Sequence, residues 1–279
     1  MLPSRGQRSR LQREMKLDGC NALITGASAG IGREFVRQLA SRAKSLILIA
    51  RREQSLNELR DELNQRYPNV AVSIRKTDLA DLAQLNDLLA WLDRERMDVD
   101  LLINNAGLGD SGDFATSDPI RNQEMTLVNI VALTTLTRHL LPRMIANRSG
   151  GILNVSSVAG FLPIPGFAVY AATKAYVTSF SEALRLELRG TGVNVCALCP
   201  GPVHTEFQEV AKRADAQPET GPASVFVPVE LVVRDALAAL EANRPLVIPG
   251  FLMKLGMFLV RIMPMPVLRL LSRLSPKRD

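Results

Sequence analysis

Tyr170 and Lys174 are the residues whose types and spacing point most directly to chemistry. They lie four positions apart, so on a helix both side chains share one face, one turn apart. A nearby ammonium favours the phenolate, and we therefore expect Lys174 to lower the pKa of Tyr170. Such a pair can act as a general acid near neutral pH. Because Tyr and Lys fall four apart in many exposed helices, the interpretation needs support from other parts of the chain.

Two further stretches supply that support. Ser156 and Ser157 precede Tyr170, and Ser157 stands thirteen positions upstream of it. Near the N-terminus, residues 21–25 read as a buried strand, residues 26–32 form a glycine-rich turn, and a helical pattern follows from about Arg33. A strand, a glycine turn and a helix in this order are typical of a dinucleotide-binding site.

Each glycine of this turn has its own expected role. Gly26 allows the tight turn, Gly30 lets the backbone approach a pyrophosphate, and Gly32 lets the helix pack close to the strand. The spacing is G-x3-G-x-G rather than the commoner G-x-G-x-x-G. A glycine-rich turn can be no more than a turn, but its place between a strand and a helix favours cofactor binding.

The end of the second predicted strand indicates which cofactor. In many NAD enzymes a carboxylate at this point takes the ribose hydroxyls, but here the chain has Arg51 and Arg52. Guanidinium groups suit a 2′-phosphate through their charge and forked donors. With Arg33 just past the glycine turn, we expect NADP(H) rather than NAD(H). The alternative is that Arg51 and Arg52 begin a solvated helix.

Strands alternate with helices along the chain, which predicts an α/β fold: a Rossmann-type, doubly wound parallel sheet of about seven strands with helices on both faces. The predicted strands are 21–25, 45–50, 70–76, 99–103, 151–154, 193–199 and 246–248. The predicted helices are 33–42, 53–66, 81–95, 119–147, a helix through Tyr170 to about Leu188, and 229–242. Ligands of such sheets bind beyond the C-terminal strand ends. Residues 206–228, rich in proline and charge, are the expected mobile lid.

Composition argues for an ordinary globular protein, with 47% hydrophobic and 22% charged residues among 279. The formal net charge of +6 lies at the two ends: residues 1–16 carry +4 and residues 251–279 carry +5. The rest of the chain is therefore net negative, and we expect no nucleic-acid partner.

Three cysteines indicate a reducing compartment rather than a disulfide framework. Cys196 and Cys199 form a C-x-x-C, but residues three apart on a strand point to opposite faces and pair poorly. Histidines occur at two positions, His139 and His204, and we expect no metal site. His204 is interpreted as a loop residue without chemistry, a substrate contact being the alternative.

The motifs together resemble those of the short-chain dehydrogenase/reductases, over about residues 17–250. The matching pieces are Thr25-Gly26-Ala27-Ser28-Ala29-Gly30-Ile31-Gly32, Asp78, Asn104-Asn105-Ala106-Gly107, Asn129, Ser157, Tyr170 with Lys174, and Pro200-Gly201. The resemblance implies a CH-OH/C=O oxidoreductase that uses NAD(P), and it also implies a homodimer or homotetramer.

The resemblance also implies a role for each catalytic residue. Tyr170 would donate a proton to the carbonyl oxygen, and Ser157, chosen over Ser156 by its spacing from Tyr170, would hydrogen-bond the same oxygen. Lys174 would lower the pKa of Tyr170 and hold the nicotinamide ribose. Asn129 would hold a water that links Lys174 to solvent; alternatively it caps backbone groups of its helix.

Residue types and resemblance together give the expected cofactor site. Asp78 would contact the adenine, Asn105 would line the adenosine ribose, and Val203 with Thr205 would orient the nicotinamide amide. The full set is Gly26, Ser28, Ala29, Gly30, Ile31, Gly32, Arg51, Arg52, Asp78, Leu79, Asn105, Ala106, Gly107, Tyr170, Lys174, Pro200, Gly201, Val203 and Thr205.

Two terminal segments flank the expected domain of residues 17–250. Residues 1–16 are expected to form a basic, solvated arm, although their composition faintly resembles a transit peptide. Residues 251–279 form an apolar and basic extension whose apolar runs are too short for a standard membrane span. Lys254 and Arg261 fall on one helical face, which suits a helix at a membrane surface through 251–275. Pro264 and Pro266 should end the first helix of this extension, and a second short helix with Arg269 and Arg273 is expected after them. Packing on a neighbouring subunit or over the substrate pocket is an equal alternative.

The sequence as a whole predicts a cytoplasmic, NADPH-dependent reductase, and peripheral membrane association through the extension is one of the two equal alternatives. Both interpretations of the extension make the site entrance apolar. We therefore expect a hydrophobic ketone substrate, such as a β-ketoacyl thioester or a steroid-like ketone, and a reversible reaction. The alternatives are an NAD-linked alcohol dehydrogenase and a non-catalytic cofactor-binding or membrane-peripheral protein.

Overall fold

A seven-stranded parallel sheet forms the centre of the molecule. The computed structural model describes residues 15–211, 213, 226–263 and 266–267. The strands are β1 (Asn21–Thr25), β2 (Ser45–Ala50), β3 (Ala71–Lys76), β4 (Leu101–Asn104), β5 (Gly150–Val155), β6 (Val193–Leu198) and β7 (Leu246–Val247). Their order across the sheet is β3-β2-β1-β4-β5-β6-β7, and every neighbouring pair is parallel. The predicted doubly wound sheet is confirmed.

Helices cover both faces of the sheet. They are α1 (Gly30–Leu39), α2 (Glu53–Arg66), α3 (Leu82–Arg94), α4 (Pro119–Thr126), α5 (Leu133–Ala146), α6 (Ala168–Glu187), α7 (Glu206–Ala211), α8 (Val229–Glu241) and α9 (Phe251–Ile262). Successive residues of a strand point to opposite faces of the sheet, and each face has its own hydrophobic core. Ile24 packs with Phe35 of α1 in one core, whereas Leu23 packs with Leu85 of α3 in the other. Burying each such large side chain contributes roughly 1.5–3 kcal/mol.

The direction of strand addition reverses between β1 and β4, which are adjacent in the sheet. The loops that follow these two strands therefore diverge to opposite sides and leave a crevice, where ligands of doubly wound sheets bind. The glycine turn follows β1, and residues 105–107 follow β4. The fold thus brings the glycine turn and residues 105–107 close together.

The predicted helix 119–147 is three pieces rather than one. α4 and α5 are separated by π-helical turns at Leu127–Ala132, which contain Asn129. The wider π turn shifts the register of the side chains, a change that the 3.6-residue periodicity of the sequence does not reveal. Other boundaries agree or differ by one or two residues, except in α1, which runs from Gly30 to Leu39 instead of the predicted 33–42.

The two terminal segments are described in part. Met15, placed in the basic arm by the sequence, is buried at 4% exposure in the core, so the packed body begins at Met15 or earlier. α9 ends at Ile262, before Pro264, as predicted. The second short helix predicted around Arg269 and Arg273 lies outside the described residues. Among the residues that are described, no helix is both long and apolar enough to cross a membrane.

Candidate active site

The glycine turn connects β1 to α1 through two residues with positive φ. These are Gly26, at φ +66°, and Gly30, at φ +49°, a conformation that costs glycine little. A Cβ on Gly32 would lie 2.2 Å from the Gly26 carbonyl oxygen, and a Cβ on Gly26 would lie 2.9 Å from the Ala106 Cα. Close packing of helix, turn and the loop after β4 therefore requires glycine at positions 26 and 32.

Asn105 braces the glycine turn. Its Nδ2 donates to the carbonyl oxygens of Thr25 and Gly26, at 2.9 and 3.3 Å. The Thr25 hydroxyl in turn accepts from the backbone N–H groups of Asn105 and Ala106, both at 3.0 Å. These bonds hold the turn from the neighbouring strand, and the contact of Asn105 with the adenosine ribose stays a prediction.

The start of α1 can accept an anion. Ala29, its N-cap, provides no side-chain cap, and the first turn holds no acidic residue. The backbone N–H groups of the first turn of α1 and the positive end of the helix dipole therefore face the crevice. No carboxylate in that turn competes for them. The Nε atom of Arg33 is buried and has no hydrogen-bond partner among the described residues, although its Nη2 donates to Glu62 at 3.3 Å. This donor-rich surface fits the phosphates of a dinucleotide.

The arginine pair at the end of β2 differs in its two members. Arg51 is exposed. Arg52 forms an ion pair with Glu206 of α7, with 2.7 Å between Nη1 and Oε2, and its Nε lies 3.4 Å from the Ser28 hydroxyl. The structure therefore places Arg52 beside the glycine turn, as the 2′-phosphate hypothesis requires.

Asp78 and Leu79 follow β3 at the same edge of the sheet. One carboxylate oxygen of Asp78 accepts from the Ala80 N–H at 3.0 Å, and its own N–H donates to Gln84 at 2.9 Å. Leu79 is buried at 6% exposure. These contacts fix the loop, and the partly exposed Asp78 stays at the strand end where the adenine was expected.

The two adjacent serines after β5 have different partners. Ser156 turns toward α6, where its hydroxyl donates to the Lys174 carbonyl oxygen at 2.8 Å and lies 2.7 Å from the Thr178 hydroxyl. Ser157 accepts from the Ala159 N–H at 3.1 Å and hydrogen-bonds the Tyr170 side chain. The structure therefore brings Ser157, the serine that the sequence analysis selected, to Tyr170.

Tyr170 and Lys174 lie one turn apart on α6, as their spacing predicted. The Lys174 ammonium is 5.7 Å from the centre of the Tyr170 ring and donates to the Val155 carbonyl oxygen at 2.9 Å. Burial raises the pKa of Tyr170 to about 12, against the opposing effect of the Ser157 hydrogen bond. Burial also lowers the pKa of Lys174 to about 8.

The expected lowering of the Tyr170 pKa by Lys174 is therefore wrong for this structure. Desolvation disfavours the charged form of each group, which raises the pKa of a phenol and lowers that of an ammonium. Tyr170 and Lys174 share one helix face as their spacing predicted, but the burial of the site determines the direction in which their pKa values shift.

Asn129 reaches the site from the π-helical turns. Its side chain exchanges two hydrogen bonds with the backbone of Leu108, at 2.8 and 2.9 Å, and its Nδ2 also donates to the Thr173 hydroxyl at 2.9 Å. A Cβ on Gly107 would lie 3.3 Å from the Lys174 ammonium and 3.4 Å from the Asn129 Oδ1. Gly107 thus leaves a small space between these two side chains.

The loop after β6 closes the site from the other side. The Pro200 carbonyl oxygen accepts from the Val158 N–H at 3.0 Å, and Val203 is buried at 5% exposure. The Thr205 side chain lies 3.2 Å from the position that a Cβ on Gly30 would take. His204 is exposed and stacks on Phe226, with 4.1 Å between ring centres.

Two side chains of this loop region were missed by the sequence analysis. The Phe207 ring lies 5.7 Å from that of Tyr170. Arg213 binds both carboxylate oxygens of Asp110, at 2.8 to 3.0 Å, and joins this segment to the loop after β4. The only sequence signal for either contact was their position in the predicted lid.

Three comparisons place these features in a family. The short chain dehydrogenase model matches residues 20–216. A Schizosaccharomyces pombe protein named NADP-dependent 3-hydroxy acid dehydrogenase is 38% identical over 204 residues, which span 72% of this chain and 78% of that protein.

Solved structures give the same result. A short-chain dehydrogenase from Sphingobium yanoikuyae in complex with NADPH is 30% identical, with a TM-score of 0.77 and coverage of 93% of this chain and 97% of that one. The bulky-bulky ketone specific alcohol dehydrogenase from Comamonas testosteroni is 28% identical, with a TM-score of 0.73 and coverage of 93% and 96%. With its fold, its motifs and these relatives, the chain belongs to the short-chain dehydrogenase family.

Proposed function

We propose that this chain is an NADPH-dependent carbonyl reductase that converts a hydrophobic ketone to its secondary alcohol, reversibly. The observation that carries the proposal is the convergence of Ser157, Tyr170, Lys174 and Asn129 from three separate segments at one end of the sheet. A binding module has no need for a buried ammonium beside a buried phenol. The chemistry of these groups accounts for their placement.

Each residue has a task that its surroundings support. A raised pKa keeps Tyr170 protonated at neutral pH, so it holds the proton that a carbonyl oxygen receives on reduction. The Ser157 hydroxyl stabilises the charge that develops on the same oxygen. Lys174 holds a positive charge beneath Tyr170, and Asn129 borders the space next to its ammonium. The nicotinamide cofactor supplies the hydride when it is bound.

The cofactor proposal rests on the donors around the glycine turn. The uncapped start of α1 suits a pyrophosphate, and Arg51, Arg52 and the unpartnered Nε of Arg33 suit a 2′-phosphate. The names of the S. pombe relative and the S. yanoikuyae complex refer to NADP and NADPH, which supports the preference for NADP(H).

The substrate proposal rests on the pocket at the start of α6. It is a shallow depression, open to solvent, and is lined by Asp110, Gly112, Phe114, Ser117, Asn122, Met125, Gly166, Ala168, Val169 and Arg213. The charge of Arg213 in this wall is neutralised by the bidentate pair with Asp110. An anionic substrate, such as a 3-hydroxy acid, would have to break that pair, so a neutral, bulky ketone is favoured.

A substrate panel tests this function. NADPH oxidation is followed with small diketones, β-ketoacyl thioesters, steroid ketones and 3-keto acids as substrates. We expect the highest kcat/KM for a bulky neutral ketone. A preference for the keto acids would refute the substrate class, and the absence of turnover with every substrate, despite NADPH binding, would refute catalysis.

The C-terminal helix α9 supports a second proposal, contact with an anionic membrane surface. Its exposed side chains include six large apolar residues on one continuous arc, each 48–78% exposed: Phe251, Leu252, Leu255, Phe258, Leu259 and Ile262. Met257, on the opposite side of the helix, is buried at 9% exposure. Exposed apolar surface of this extent marks an interaction site.

Charge indicates the partner of α9. Lys254 lies next to the apolar arc on the helix, and by sequence residues 251–279 carry +5. Apolar insertion together with basic residues matches anionic lipid headgroups. The Met253 side chain lies 2.6 Å from the Cβ position of Gly201, so a docked α9 would hold the loop after β6 near the bilayer.

Vesicle sedimentation tests the membrane proposal. Anionic phosphatidylglycerol vesicles should bind the chain more tightly than phosphatidylcholine vesicles, and Phe258→Glu should abolish binding. Leu186→Glu, at an exposed apolar residue of α6, is the matched control and should have no effect. Loss of a dimer in Phe258→Glu without any vesicle binding by the original chain would identify α9 as a subunit contact and refute the membrane proposal. The expected homodimer or homotetramer remains a prediction.

A further inference from the structure

Three consecutive residues after β6 contact both ends of the proposed cofactor crevice. Thr205 lies against Gly30 of the glycine turn, and Phe207 lies against the Tyr170 ring. Glu206, between them, pairs with Arg52. The first turn of α7 therefore touches the proposed phosphate site and the proposed reaction site at once.

The pair between Glu206 and Arg52 places a negative charge where the proposed function requires a phosphate. The 2.7 Å contact uses Nη1 of Arg52, while Nε lies 3.4 Å from the Ser28 hydroxyl. Both side chains are about half exposed, at 50% for Arg52 and 57% for Glu206. Solvent can therefore reach the pair, and an incoming phosphate can exchange with the carboxylate.

We propose that Glu206 is a cofactor-selectivity residue that competes with the 2′-phosphate of NADPH for Arg52. The inference rests on the proposed function, since it assumes that Arg52 binds this phosphate. A ligand without a 2′-phosphate leaves the ion pair intact. A ligand with one must displace the Glu206 carboxylate or bind against its charge. Glu206 therefore lowers the affinity for NADPH and leaves that for NADH unchanged.

The size of the effect follows from the exposure of the pair. Exposed ion pairs contribute from almost nothing to about 1 kcal/mol, which corresponds to at most about a fivefold change in a dissociation constant. A phosphate carries up to about two negative charges against one for the carboxylate, so it wins the exchange. We therefore expect Glu206 to reduce NADPH affinity by about two- to fivefold at low ionic strength, with a smaller effect at high salt.

Calorimetric titration of the full chain tests this proposal. Glu206→Gln is compared with the original chain and with Glu209→Gln, which makes the same charge change at an exposed position of α7. The ligands are NADPH, NADH, adenosine 2′,5′-bisphosphate and 5′-AMP. Glu206→Gln should tighten binding of the two 2′-phosphate ligands by about two- to fivefold, with no change for NADH or 5′-AMP. Glu209→Gln should change none of the four.

A second variant makes the test specific to Arg52. In an Arg52→Met background, Glu206→Gln should lose its selective effect, because no guanidinium remains to compete for. An equal change for NADPH and NADH, or an effect that persists without Arg52, would overturn the proposal. If the original chain binds NADH as tightly as NADPH, the proposed cofactor fails. If it prefers NADPH and Glu206→Gln changes nothing, only the role of Glu206 fails.

Discussion

Replacement of Lys174 by methionine should remove activity and at the same time stabilise the fold. Burial lowers the pKa of Lys174 from 10.5 to about 8. This lowering of the pKa corresponds to a cost of about 3 kcal/mol for keeping the charge in the folded chain. Methionine has a similar length and no charge, but it cannot make the 2.9 Å hydrogen bond to Val155, which contributes about 1 kcal/mol. We therefore expect a net gain of about 2 kcal/mol at pH 7.

The pH dependence of this gain identifies its cause. Below pH 8 Lys174 is protonated in the folded and the unfolded chain, and the full cost is present. Between pH 8 and 10.5 the unfolded chain binds more protons, so the stability of the original chain rises with pH. The gain in stability should therefore be largest below pH 8, and by about pH 10.5 it should reverse to a loss of about 1 kcal/mol, because only the missing hydrogen bond to Val155 then remains.

Urea unfolding at a series of pH values measures this difference. Cys20, Cys196 and Tyr170, whose pKa values burial raises to about 12, titrate in both proteins and cancel in the comparison. Lys44→Met, at an exposed lysine before β2, is the control and should leave the free energy of unfolding nearly unchanged. A Lys174→Met protein that is less stable than the original at pH 7, or a difference that does not vary with pH, would refute the reasoning.

Two further substitution pairs separate chemistry from structure. Ser157→Ala should lower kcat by about 10²- to 10³-fold, because it removes a donor to the developing oxyanion. Ser156→Ala loses the contacts to Lys174 and Thr178. It should lower the free energy of unfolding by about 1–2 kcal/mol and change kcat little. Steady-state kinetics and urea unfolding of both variants distinguish these effects, and equal losses of kcat would contradict the assignment. Gly32→Ala should lower the Tm and weaken NADPH binding, because its Cβ would lie 2.2 Å from a backbone oxygen; Gly256→Ala, with open space around it, should be neutral or slightly stabilising. Thermal unfolding with and without NADPH checks both, and a neutral Gly32→Ala would contradict the packing argument.

The sequence predicted most of what depends on local pattern. Apolar runs and turns located all seven strands. Because strands alternate with helices, the strands run parallel, and this placed Gly26, Asp78 and Asn105 at one edge of the sheet. Strand alternation implied that one of the two adjacent serines reaches the site, and the choice of Ser157 rested on its thirteen-residue spacing from Tyr170, through the family resemblance. Ser156 indeed binds α6, while Ser157 meets Tyr170.

What the sequence missed depends on tertiary structure. The π-helical turns around Asn129 interrupt a pattern that reads as one helix. The contact between Arg52 and Glu206 joins residues 154 positions apart, so no local pattern encodes it. The pKa of Tyr170 was predicted from its neighbour Lys174, but the burial of the whole site determines it. Distances along the chain do not report any of these quantities.

The most direct test of the proposed function is the turnover of a Tyr170→Phe variant. NADPH oxidation is measured with the best ketone of the panel, and NADPH affinity is measured in parallel. Tyr176→Phe, which removes a partly exposed hydroxyl from the same helix, is the matched control. We predict that Tyr170→Phe loses at least about 10²-fold in kcat while it still binds NADPH, and that Tyr176→Phe keeps its activity. A Tyr170→Phe protein that retains kcat within a few-fold would contradict the role of Tyr170 as the proton donor, and with it the proposed mechanism.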